Sequence, residues 1–133
     1  MEITKPTILL IDDDAAIRKV LGRRLEGQGF HVVGAEDGEE GLRTAEAVLP
    51  DLILLDVMMP KMKGREVCAI LKANPRTKEI PVIFLSALGL ADHISAGMRL
   101  GADDYVVKPF HPDKLNERIR ICLARHQKAE RTV

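Results

Sequence analysis

The chain has 133 residues, 46% hydrophobic and 30% charged, which fits one domain around one core and leaves no room for a second. Basic and acidic residues number 20 each, so the net charge gives no basis for wrapping nucleic acid or lying on an anionic membrane. No run is long and apolar enough to span a bilayer, residues 1–6 form no apolar leader, and Cys68 and Cys122 lack any CxxC or Cys/His pattern. The expectation is a cytoplasmic protein with reduced thiols in or near its core, whose partners are proteins or small anions.

Thr7 to Ile11 is β-rich and apolar, and it runs straight into Asp12-Asp13-Asp14. An Asp14 cap then starts a helix with Ile17, Val20, Leu21 and Leu25 at helical spacing, ending near Gly27 and Gly29. Arg18, Arg23 and Arg24 fall largely off that stripe. Phe30 to Ala35 reads as a short strand, and Asp37-Gly38-Glu39-Glu40 opens the acidic first turn of a helix that lasts to about Leu49. Pro50 stops it.

The stretch Asp51 to Pro60 is the centre of the chain: a continuous apolar run ends in Asp56 and is closed four residues later by a proline. An apolar run without alternation belongs to a strand covered on both faces, hence to a parallel sheet between helices. After the loop Val57 to Lys63, a helix from about Gly64 should carry Val67, Ile70 and Leu71 inward until Asn74-Pro75-Arg76-Thr77 breaks it. Pro81 to Leu85 is a second unalternated strand, ending at Ser86. A loop containing Gly89 leads to a helix with Leu90, Ile94, Gly97 and Met98 on one face, followed by Gly101. The fifth strand, Asp104 to Val107, ends at Lys108-Pro109. A last helix from about Pro112 turns Leu115, Ile119, Cys122 and Leu123 inward, so the domain covers residues 1–126 and residues 127–133 form a polar tail or the start of a linker.

Five strands alternating with five helices predict a doubly wound, three-layer α/β/α domain of flavodoxin-like type, with a five-stranded parallel sheet for which 2-1-3-4-5 is the commoner order at this size. In that order the first and third strands are neighbours at the switch point, and Asp12, Asp13 and Asp56 converge in one crevice. Clustered carboxylates call for a cation, and hard oxygen ligands in an open cleft point to Mg²⁺. Ser86 adds a hydroxyl for an oxyanion and Lys108 a fixed positive charge. Together they form a phosphoryl-transfer constellation with Asp56 as nucleophile. Taken singly, each residue has a plainer reading: Asp56 or Ser86 as a turn residue, Lys108 as solvated surface, Asp14 as a helix cap.

Over nearly its whole length the chain resembles a two-component response-regulator receiver domain. The resemblance rests on Ile8 through Asp14, Asp51 through Pro60, Val82 through Ala87 and Gly101 through Phe110. It implies that Asp56 accepts a phosphoryl group from a histidine kinase or a histidine phosphotransfer protein. Asp13, Asp56 and the Met58 backbone carbonyl would bind Mg²⁺, with Asp12 acting through water, and Lys108-Pro109 would be a cis peptide. Ser86 and Lys108 would contact the phosphoryl oxygens. Tyr105 matches the switch aromatic that turns inward when Ser86 is drawn toward the phosphoryl group, changing the face of the last two helices and fifth strand. Met58 and Leu88 match the positions that tune the lifetime of the aspartyl phosphate. Both are apolar here, which implies slow self-dephosphorylation, and the resemblance to a regulatory receiver implies no enzyme activity beyond the domain's own phosphoryl chemistry.

Asp104 with Arg118 matches a cross-subunit ion pair of dimeric relatives, but Ile94 and Lys114 cannot form a second such pair. Weak, phosphorylation-enhanced homodimerisation is the most this supports. A downstream effector or fused output domain is implied as well, and the resemblance fits a stand-alone receiver and part of a longer regulator equally.

Rival readings fail on particular residues. A haloacid-dehalogenase-type phosphatase wants a second Asp where Met58 stands, an FMN binder wants a Ser/Thr/Gly loop after the first strand, and a P-loop nucleotidase needs GxxxxGK[ST]. A degenerate, non-phosphorylated receiver acting as a constitutive docking module remains, opposed by the complete acid, hydroxyl and lysine set. His31, His93, His111 and His126 carry no phosphoacceptor signature, so the donor is another molecule.

Overall fold

The structure, a computed structural model, describes residues 5–87 and 91–131. Along the chain run β1 (Thr7–Ile11), α1 (Ala15–Gly27), β2 (His31–Ala35), α2 (Gly38–Val48), β3 (Leu52–Asp56), α3 (Gly64–Ala73), β4 (Val82–Ser86), α4 (Ala91–Arg99), β5 (Asp104–Val107) and α5 (Pro112–Arg131). The strands form one parallel sheet, as the alternation of elements predicts, in the expected order β2-β1-β3-β4-β5.

The unalternated strands have a simple cause. Leu9, Ile11, Ile53, Leu55, Val82 and Phe84 point to one face and pack with Ala45 of α2 and with Val67, Cys68 and Leu71 of α3. Ile8, Leu10, Leu52, Leu54, Ile83 and Leu85 point to the other and pack with Leu21 and Leu25 of α1 and with Leu115, Ile119, Cys122 and Leu123 of α5. Each central strand buries both sets of side chains, so polar alternation has no place in it. Asp14 caps α1 by accepting the N–H groups of Ala16 and Ile17 at 2.9 and 3.2 Å. Asp37 caps α2 through the N–H of Glu40 at 2.8 Å. Cys68 and Cys122 are buried free thiols on opposite faces of the sheet, and burial pushes both up, Cys122 to about 11.

Three helix faces differ from the periodic reading. In α3, Ile70 is 46% exposed and Cys68 takes the inward place, because the buried stripe runs Gly64, Val67, Cys68, Leu71 and Ile70 stands about a quarter turn off it. In α1, Val20 is 67% exposed, because the buried face is Leu21, Gly22 and Leu25. In α4, Gly97 packs on Phe84 and Tyr105 while Met98 is 41% exposed. Leu90, expected on that face, lies outside the described residues.

Helix α2 sits unusually close to β1. A Cβ at Gly41 would stand 2.6 Å from Ile11 Cδ1 and 3.1 Å from its Cγ2. Gly41→Ala should therefore cost ~1–3 kcal/mol by overpacking, although Ala is the better helix former. Adding Ile11→Val, which removes Cδ1, should recover part of that loss. Urea denaturation of both variants measures it, and strictly additive effects would contradict the close contact.

Candidate functional site

Parallel pairing aligns the strand exits. Ile11 pairs with Leu55, so the next residues of the two strands, Asp12 and Asp56, stand side by side at the carboxyl end of the sheet. Oxygens of Asp12, Asp13 and Asp56 all lie within 4.8 Å of one another. Asp12 and Asp56 are 1% and 7% exposed, whereas Asp13 faces solvent. Ser86 ends β4 fully buried, and Lys108 follows β5, its backbone N–H bonded to the Ser86 carbonyl at 2.7 Å. The Lys108 ammonium reaches Asp12 Oδ2 at 3.4 Å. The structure thus brings together all five residues that the sequence places at strand ends, and the Lys108-Pro109 peptide is cis as expected.

The carboxylates are held by their own turns. Asp12 Oδ1 accepts the Asp14 N–H at 2.9 Å and Asp56 Oδ1 accepts the Met58 N–H at 3.2 Å. Met58 has an exposed side chain and belongs to the site through its backbone. Tyr105 is buried in the described state, its ring 5.9 Å from that of Phe84. Leu88 lies outside the described residues. Ser86 is the last residue of β4, as expected, with its strand starting at Val82.

Two contributors escaped the sequence reading. Gly64 lets the loop after β3 fold back: a Cβ there would stand 2.2 Å from the Asp56 carbonyl oxygen, and its N–H bonds the Val57 carbonyl at 3.1 Å. A glycine opening a helix directly after the site loop was the available signal. Arg18, set aside as a residue off the apolar stripe, donates to the Asp12 carbonyl at 2.6 Å. Nothing in its spacing marks it.

The matched dimer pair lies within one chain. Arg118 Nε and Nη2 donate to Asp104 Oδ2 and Oδ1 at 2.5 and 2.6 Å. Burial disfavours the Asp104 charge, but the Arg118 bonds, the Tyr105 N–H and the charges of Arg118 and Arg125 outweigh it and hold the carboxyl below its ordinary range.

Asp56 titrates far from its ordinary 3.8, pushed up to about 6 by burial and by the charges of Asp12 and Asp13, against the pull of Lys108 and the Met58 N–H. Because the folded value is the higher one, the protonated carboxyl favours the fold at low pH. That contribution is lost as pH rises through about 6. Ionised Asp56 should then burden the metal-free fold by ~3 kcal/mol. Asp56→Asn is accordingly expected to gain ~2–3 kcal/mol in urea denaturation at pH 7.5 and almost nothing at pH 4. An equal gain at both pH values would rule out the titration as its source.

The sequence matches the response regulator receiver domain over residues 8–120. It is 49% identical over 127 residues to the probable transcriptional regulator ycf27 of Guillardia theta, covering 95% of this chain and 48% of that protein. It is 44% identical over 120 residues to the DNA-binding dual master transcriptional regulator RpaA of Synechocystis sp., covering 90% of this chain and 50% of that one. The chain thus spans about half the length of the curated relatives it matches. Its fold superposes on a CheY-like response regulator receiver domain protein from Methanospirillum hungatei JF-1 with a TM-score of 0.86 at 30% identity, over 94% of this chain and 98% of that one. A match over that span, with a sheet of the same order and an acid crevice at its carboxyl end, identifies the family: this chain belongs to the response regulator receiver domains of two-component signalling.

Proposed function

We propose that this domain is a phosphorylation switch in which Asp56 takes a phosphoryl group from a histidine kinase or a histidine phosphotransfer protein. The observation that carries the reading is the convergence of the Asp12, Asp13 and Asp56 carboxylates within 4.8 Å, beside Lys108 and the β4 exit at Ser86. One Asp56 oxygen bonds to phosphorus as the P–N bond to the donor histidine breaks, and the freed imidazole takes up a proton. Lys108, now 3.4 Å from Asp12, provides positive charge for the phosphoryl oxygens, and the Ser86 hydroxyl provides a donor.

Mg²⁺ fits this donor set of hard, acceptor-only oxygens. Asp13, Asp56 and the Met58 carbonyl would hold it, with Asp12 acting through water. When bound it supplies charge neutralisation to the carboxylates and to the incoming phosphoryl group. Ser86 and Tyr105 form the switch, because Ser86 ends β4 and the Tyr105 ring packs on Phe84 two residues earlier in that strand. The output is control of transcription through a partner or a further domain, in keeping with the names of the longer relatives.

The uptake test is direct. Acetyl phosphate with Mg²⁺ should label the parent chain, and Asp56→Asn and Asp13→Ala should each abolish labelling while melting no earlier than the parent. Unchanged labelling of Asp56→Asn contradicts the proposal, and a parent that takes no label from any donor favours the docking module.

Self-association should be weak. Arg118 already holds the Asp104 of its own chain, so a cross-subunit bond replaces an equivalent one and adds little. Ile94 and Lys114 add no second pair. Light scattering should give a monomer mass for the untreated chain and only a concentration-dependent rise with beryllofluoride. A stable dimer before treatment contradicts this account.

A further inference from the structure

The turn from β1 into α1 carries two of the three acids, so whatever holds its backbone decides where their carboxylates point. Asp12 has four anchors. Its N–H bonds the Ala35 carbonyl at 3.2 Å, Oδ1 accepts from the Asp14 N–H at 2.9 Å, and Oδ2 faces Lys108 at 3.4 Å. Its carbonyl accepts from Arg18 Nη1 at 2.6 Å. The first three come from the sheet, the turn and the site. The fourth comes from the first turns of α1, where the side chain bends back six residues to the peptide that leads into Asp13.

That bond is charge-assisted, and it opposes the change in φ and ψ that would swing the Asp12 carbonyl away. The consequence falls on Asp13. Its side chain is exposed, and among the described residues no donor holds its carboxylate, so the backbone, by aiming the Cα–Cβ bond, sets which rotamers reach the crevice. The Arg18 stem reaches the carbonyl across the edge strand β2, over Gly34, where a Cβ would stand 3.6 Å from Arg18 Cδ and 4.0 Å from Nε. An alanine would just touch the stem there. A branched side chain would enter its path.

We infer that Arg18 is a positioning residue for the divalent-cation site, holding the Asp12 carbonyl so that Asp13 meets Asp12 and Asp56. This deepens the receiver reading proposed above and rests on it, since the cation is Mg²⁺.

Isothermal titration of Mg²⁺ into the unphosphorylated chain tests it, with Arg18→Ala, Arg18→Lys and Gly34→Val beside the parent and a thermal melt of each. Arg18→Ala should weaken the Mg²⁺ Kd roughly tenfold, the lower end of what the loss of a supporting contact costs a metal site. Arg18→Lys should fall between, because an ammonium reaches the carbonyl without the planar fork. Gly34→Val keeps the arginine and suits an edge strand, so it should stay folded and still weaken Kd. Labelling by acetyl phosphate should return to the parental rate at saturating Mg²⁺, because Arg18 touches neither Asp56 nor the phosphoryl group. A parental Kd in Arg18→Ala, whatever its melting temperature, overturns the inference. If Arg18→Ala does not fold, a parental Kd in Gly34→Val does so. A parent chain that binds no Mg²⁺ overturns the receiver reading itself, an outcome distinct from either.

Discussion

Everything at the carboxyl end of this sheet depends on holding like charges together. Carboxylates with oxygens within 4.8 Å of one another repel, and the burial of Asp12 and Asp56 strengthens that repulsion by removing water. Left to themselves, the strand ends would part or the groups would take up protons. Neither strand can move, because β1 and β3 are buried on both faces and paired through four residues. The cost therefore appears as a raised Asp56 pKa, set first by burial and then by the charges of Asp12 and Asp13, rather than as a distortion of the frame. A cation or a phosphoryl group with its counter-ion would meet charges already assembled, which is the physical meaning of a preorganised site.

The frame achieves this with contacts that leave little slack. Gly41 lets α2 lie against Ile11, the residue just before the acid turn, and Gly64 lets the loop after Asp56 close over the end of β3. Both glycines are there for the close approach of one backbone to its neighbour rather than for flexibility. Lys108 ties the fifth strand's exit to the first through Asp12, so the outermost contributor is coupled to the centre by charge. Ordered in this way, the acids, the hydroxyl and the lysine come from four strands and need no single loop to carry them.

The face of β5 and α5 follows a different logic. Asp104 and Arg118 satisfy each other within one chain through two short bonds, and the local field of Arg125 adds to the same carboxylate. A pair so well matched at home gains little by exchange with a neighbour, because the same number of bonds exists before and after. This pair is therefore satisfied within the isolated domain, and a neighbour gains little by competing for it.

Much of the architecture was legible in the chain itself. Unalternated runs at Thr7 to Ile11, Leu52 to Leu55 and Val82 to Leu85 could belong only to strands buried twice, and the capping acids Asp14 and Asp37 marked the helices that follow. From that alternation came the doubly wound class, the commoner strand order of that class put the first and third strands side by side, and the acid crevice followed because both of them run into aspartate. Which helix face turns inward was less legible: Ile70, Val20 and Met98 are as apolar as their buried neighbours, and only the docking angle of each helix on the sheet exposes them. The reach of Arg18 to Asp12, and the closure of the Asp104–Arg118 pair within one chain rather than across two, were out of reach for the same reason. A long side chain gives no periodic signal of where it ends, and its partner is chosen by proximity in three dimensions, which the tertiary fold alone creates.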